Sequence, residues 1–118
     1  MTNGARQEGK QAMEISREEK DGAVVVRLTG EVDMRSSPEL REELLGVTRT
    51  QPPRVIVSLE HVRYIDSSGI ATLIECFKNV HRYGGRFRLV GVNEDVYPVF
   101  ELAHLTEVFD LRRDVTLD

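Results

Sequence analysis

The stretch "RVIVSL", Arg54 to Leu59, constrains the fold more than any other segment. Four of its six side chains are apolar and three of those are β-branched, the mark of a central strand covered on at least one side by helices. A strand of that kind belongs in the interior of a sheet packed by helices. It runs on through "EHVRYI" into "DSSG", after which Ile70, Leu73, Ile74, Phe77 and Val80 recur at helical spacing while Glu75, Lys78, Asn79 and Arg82 take the other face. His81 and Arg82 suit the C-terminal end of that helix, and Gly84 or Gly85 can end it.

The flanking segments follow the same logic. "MEIS" from Met13 alternates apolar and polar residues, "KDG" at Lys20 to Gly22 is a turn signal, and "AVVVRL" is rich in branched residues, which together predict an antiparallel hairpin. In "SSPELREELLGVT", Ser37 is placed to cap a helix with Pro38 at its first position, and Leu40, Leu44 and Val47 share one face. "RFRLVGV" is a further strand. Asn93 is placed to cap a third helix bearing Val96, Val99, Phe100 and Leu102, with Pro98 either delaying its start or removing one early hydrogen bond. A last short strand falls around Val108 to Leu111. The alternation of strands and helices implies βαβ crossovers, hence an α/β fold with a mixed, mostly parallel sheet, an antiparallel edge hairpin and about three to four helices.

With 118 residues there is material for one core, so the reading is a tail over residues 1–12, "MTNGARQEGKQA", lacking any periodic pattern, and a single domain over 13–118. The formal charge of −4 argues against a nucleic-acid binder, and Arg112 and Arg113 stand beside Asp110 and Asp114. The longest aliphatic run, Ala23 to Val26, is far short of a membrane span, and no apolar leader follows Met1. A cytoplasmic location is therefore expected, in keeping with a single cysteine, Cys76, read as a passive helix residue.

The crossovers bring the carboxyl ends of the parallel strands to one edge, where such folds build their sites. "GEVD" (Gly30 to Asp33), "IDSSG" (Ile65 to Gly69) and "GVNED" (Gly91 to Asp95) meet there, so Asp33, Asp66, Ser67, Ser68 and Asn93 are expected together around the start of the second helix. The plain reading of Asp66, Ser67 and Ser68 is a helix cap, worth about 1 kcal/mol. Catalysis lacks a base, since His61, His81 and His104 fall at strand-exit and helix-end positions; a metal site lacks paired ligands, and no glycine-rich phosphate loop is present, so no cofactor is called for. What remains is a hydroxyl offered to a kinase at a helix start, where a phosphate would add about −1.5 to −2 charges and alter how a partner docks.

The ordered set "VVVRLTGEVD", "RVIVSLEHVRYIDSSGIATL" and "GGRFRLVGVNEDVYPVFELAHL" resembles the STAS domain family, most closely its stand-alone bacterial anti-sigma factor antagonists, from about Met13 to the last strand. The resemblance implies a non-enzymatic partner switch. The unphosphorylated antagonist binds an anti-sigma factor that is also a serine kinase, freeing the sigma factor; phosphorylation ends the interaction and a PP2C-type phosphatase restores it. The family's acceptor maps to Ser67, with Ser68 secondary, and its docking face to Asp33, Asp66, Ser67, Ser68, Gly69, Ile70 and Asn93. Ile70 and Ala71, where many antagonists carry leucine and glycine, also resemble the STAS subunits that bind the ATPase of lipid-transporting ABC systems, so a constitutive transporter or scaffold subunit is the alternative reading.

Overall fold

The computed structural model describes residues 13–111 and Asp114; the expected tail at 1–12 and the Arg112–Arg113 pair lie outside the described residues. β1 (Glu14–Lys20) and β2 (Ala23–Val32) form the expected hairpin, registered Lys20 to Ala23 and Glu14 to Thr29. Its two-residue turn places Asp21 at φ +52° and Gly22 at φ +80°, the left-handed pair that matches the twist of the flanking strands. α1 (Ser37–Arg49), β3 (Arg54–Ile65), α2 (Ser67–Arg82), β4 (Arg86–Val90), α3 (Tyr97–Leu102) and β5 (Asp110–Leu111) complete the chain. The strands lie in sequence order, β1-β2-β3-β4-β5, and every pairing except β1 with β2 is parallel.

The near-continuous apolar run of β3 has the reason its composition suggests. Val55, Val57 and Leu59 face the large cluster that also takes Val26 and Leu28 of β2, Leu40 and Leu44 of α1, and Leu73, Cys76 and Val80 of α2. Ile56 joins Val25, Ala23 and Val90 in a smaller cluster; alternation along the strands assigns it to the opposite face. Four phenylalanines close one flank, with Phe77 edge-on to Phe87 and Phe109 and Phe109 edge-on to Phe100, ring centroids 5.6 to 6.1 Å apart.

Three local expectations shift. The residue before α1 is Ser36, so Ser37 is buried inside the first turn and Pro38 lies at its second position; the chain turns one residue earlier because Asp33 already folds it back. Of the two options for Pro98, the late start holds: residues 93–96 make a turn in which the amides of Val96 and Tyr97 donate to the Asn93 carbonyl, and α3 begins at Tyr97. A helix of only six residues buries Phe100 and leaves Leu102, expected on its apolar face, 82% exposed. The last strand starts later than expected, pairing with β4 from Asp110.

β3 outruns its neighbour. Val90 of β4 pairs with Ser58, so from Leu59 to Ile65 β3 is paired only on its β2 side and carries the next helix out past the end of β4.

Candidate functional site

The site is built where β2 and β3 end side by side. Val32 pairs with Ile65, and the amide of Asp66 donates to the Val32 carbonyl (3.1 Å), so Asp33 and Asp66 leave the sheet from adjacent positions. Each carboxylate is then engaged with its own chain.

Asp33 holds the loop into α1. One oxygen accepts the amides of Arg35 (2.9 Å) and Ser36 (3.2 Å), and the other accepts the Arg35 guanidinium (3.0 Å). That guanidinium, aided by the two amides against the cost of partial burial, holds the Asp33 carboxyl below the usual carboxylate range. Ser36 braces the same loop: its hydroxyl donates to the Glu31 carbonyl (2.8 Å) and accepts the Asp33 amide (2.9 Å). Met34, between them, is 75% exposed.

Asp66 caps α2 from an extended backbone (φ −112°, ψ −172°). Its Oδ1 accepts the amides of Ser68 (2.9 Å) and Gly69 (3.2 Å) and the Ser68 hydroxyl (2.6 Å). The two serines thereby part company. Ser68 is half-buried with its hydroxyl committed to Asp66, whereas Ser67 is exposed and its hydroxyl has no partner among the described residues.

Gly69 explains how the helix can start so close to the sheet. A Cβ there would stand 2.7 Å from both Val32 Cγ1 and Ile65 Cγ1, closer than carbon atoms tolerate. Gly69 and Ile70 are buried, Gly69 against the ends of β2 and β3 and Ile70 in the core cluster, so the surface at this point is made by their exposed neighbours. The expected cluster also divides. Asn93 braces the overhang of β3, its amide nitrogen donating to the carbonyls of Leu59 (3.1 Å), Glu60 (3.2 Å) and Val62 (2.9 Å). Val62 lies four residues before Asp66, on the order of 10 Å along the strand.

No group of histidine, cysteine or carboxylate side chains able to hold a metal occurs among the described residues. His61 is an exposed β3 residue beside Glu60, His81 stacks on Phe77 and His104 is exposed, and none hydrogen-bonds Ser67 or Ser68. Burial pushes the Cys76 thiol up to about 12, which keeps it a neutral core side chain. No helix among the described residues is long and apolar enough to cross a membrane. Residues that sequence reasoning missed are Arg35 and Ser36, which hold Asp33, and the exposed Met34. The only signal was a polar "MRSS" between a strand and a proline, which marks a loop without revealing whom it bonds.

Known proteins place this geometry. The STAS domain model matches residues 14–117. The chain is 29% identical over 99 residues to the anti-sigma-B factor antagonist of Bacillus subtilis (strain 168), covering 84% of this chain and 88% of the relative. It is 26% identical over 100 residues to the anti-sigma F factor antagonist of Paenibacillus polymyxa, covering 84% and 86%. Among solved structures, an anti-sigma factor antagonist from Mycobacterium paratuberculosis superposes with a TM-score of 0.81 at 27% identity, covering 91% of this chain and 89% of that one.

Proposed function

This chain belongs to the STAS domain family, and we propose that it is an anti-sigma factor antagonist switched by phosphorylation of Ser67. Unphosphorylated, it binds an anti-sigma factor serine kinase in the cytoplasm and releases the sigma factor. The kinase then transfers the γ-phosphoryl group of its ATP to Ser67 Oγ; the new O–P bond replaces the bond to the leaving ADP, and a base on the kinase takes the hydroxyl proton. A PP2C-type phosphatase hydrolyses the ester and resets the domain.

The observation that carries this reading is the contrast between the two serines. Ser67 presents an exposed hydroxyl with no partner among the described residues, while the Ser68 hydroxyl donates to Asp66 at 2.6 Å. Phosphorylating Ser68 would first break its hydroxyl's bond to the capping Asp66; phosphorylating Ser67 breaks no hydrogen bond of its hydroxyl among the described residues. The names of the relatives point the same way.

The docking face consists of the Asp33 loop with exposed Met34, the first turn of α2, and Tyr64, 50% exposed near the end of β3. A phosphate at Ser67 adds about −1.5 to −2 charges beside Asp33 and Asp66. The helix N-terminus tolerates that charge from within the domain, but a partner meeting the face with carboxylates or apolar groups does not.

Paired pull-downs with Ser67→Ala and Ser67→Asp proteins from lysate of the native host test the proposal. A serine kinase held by the alanine form and lost from the aspartate form is the expected result. An ATPase subunit held equally by both would overturn it and assign the domain to a constitutive transporter or scaffold complex.

A further inference from the structure

At the far end of α2 from Ser67, a 16-residue helix and so about 24 Å away, the last turns of α1 and α2 flank an open cleft of about 530 Å³. That size suits a small molecule. Arg49 ends α1 and Arg82 ends α2, and both line the cleft, together with the amides of Gln51 and Asn79 and the apolar surfaces of Leu45 and Tyr83. No carboxylate lines it, in a chain with 20 acidic residues against 16 lysines and arginines.

The two arginines are also unlike several others. Arg17, Arg27, Arg35, Arg41 and Arg63 each meet a glutamate or aspartate. Among the described residues neither Arg49 nor Arg82 has a carboxylate partner; Arg82 donates to the Asn79 side-chain oxygen at 2.8 Å. A basic residue in the last turn complements the helix dipole. That accounts for one arginine at each helix end, and the packing of α1 beside α2 brings the two ends together; it does not account for the lack of a carboxylate in the lining.

The walls are held in place before anything binds. Gln51 stands in the left-handed region at φ +54°, its amide donating to the Thr48 carbonyl (3.0 Å). The Tyr83 hydroxyl donates to the Pro52 carbonyl (2.8 Å) and the Arg86 amide to the Pro53 carbonyl (2.9 Å), which ties the loop after α1 to the loop after α2. Gly85 permits that closeness, since a Cβ there would stand 2.7 Å from the Tyr83 ring and 3.1 Å from the Pro53 carbonyl oxygen. The frame of the cleft is thus fixed, while the exposed side chains of Arg49 and Gln51 become ordered only on a ligand.

We propose that this cleft binds a small phosphate-bearing molecule, with the guanidinium groups of Arg49 and Arg82 on the phosphate oxygens, Gln51 and Asn79 as further donors, and the remainder of the ligand against Leu45 and Tyr83. Two planar forks without a competing carboxylate suit an oxyanion with several acceptors. The site is independent of the Ser67 switch and stands or falls without it.

The test is a titration of the 15N-labelled full chain with pyrophosphate at low ionic strength, followed by amide chemical shifts. Saturable shifts centred on residues 48–51 and 79–83 are expected. The Arg49→Ala/Arg82→Ala protein should lose affinity by about tenfold or more, as removal of charged hydrogen bonds implies, while keeping its melting temperature. Should that double variant not fold, Arg49→Lys, which keeps the charge and loses the fork, is expected to weaken binding by a smaller factor. Absent or non-saturating shifts, shifts centred instead on the start of α2, or equal affinity in the variants would overturn the proposal.

Discussion

The two ends of α2 solve opposite problems with the same kinds of atoms. At the start, Asp66 gives one carboxylate oxygen to two amides and a hydroxyl, and Asp33 does the same for the neighbouring loop, so that Ser67 is left with an exposed hydroxyl. At the finish, Arg49 and Arg82 spend nothing on carboxylates and face a cleft. Polar groups consumed by the backbone make a surface for a macromolecule to press against; polar groups left unspent in a concavity make a place for a small ligand. Each end is drawn tight by one glycine with no room for a Cβ, Gly69 at the start and Gly85 just past the finish.

The largest effect expected along this helix belongs to Cys76, which lies between the two ends. Its thiol, raised from 9.0 to about 12 mainly by burial, should react with a thiol reagent at pH 8 on the order of a thousandfold more slowly than in the unfolded chain. Because the unfolded thiol ionises first, the stability owed to the neutral folded thiol is complete below 9.0 and is lost as the pH rises from there toward about 12. Labelling of the native protein as fast as of the denatured one would mean that α2 does not stay seated.

Gly69→Val perturbs one end alone. Forcing a branched side chain against Val32 and Ile65 should cost roughly 3 kcal/mol and lower the melting temperature by about 10 °C or more, with faster Cys76 labelling as a second readout. An unchanged melt would show that the start of α2 is not pinned by this contact. Asp66→Ala is milder, about 1 to 2 kcal/mol for the lost cap. By freeing the Ser68 hydroxyl it should also let the kinase modify both serines, which mass spectrometry would detect. If only Ser67 is ever modified, the sequestration of Ser68 is not what separates them.

The smallest effects sharpen the contrast most. Ser68→Ala should destabilise by about 1 kcal/mol through the hydrogen bond to Asp66, and Ser67→Ala by less than about 0.5 kcal/mol, as an exposed side chain without a partner. Equal melting temperatures for the two variants would remove the distinction on which the switch is assigned.

Much of the fold was legible because its signals are local. The hairpin turn needs left-handed residues and "DG" supplies them; the apolar spacing of α2 marks its buried face; the β-rich, unalternating β3 marks a covered strand. Pro98 announced an irregular third helix, and the turn closed on the Asn93 carbonyl shows which of its two readings holds. The site was legible in part. That Asp33 and Asp66 lie together follows from parallel strands of matching register, whereas the place of Asn93 depends on how far β4 runs. It stops at Val90, beside Ser58, and Asn93 spends its amide on the strand that continues.

By itself, then, the amino-acid order determined the strands, the helices, the edge where the loops gather and the helix cap, because turn chemistry, side-chain period and capping act over a few residues. Tertiary structure alone decided which serine hydroxyl stays free, that Gly69 and Ile70 lie beneath the surface, and that Arg49 and Arg82 share a cleft. The last two outcomes depend on distances between chain segments some thirty or more residues apart, as between Gly69 and Val32 or in the bond from Tyr83 to Pro52, and no local pattern encodes such a distance; the choice between the serines rests on side-chain directions within one helix turn.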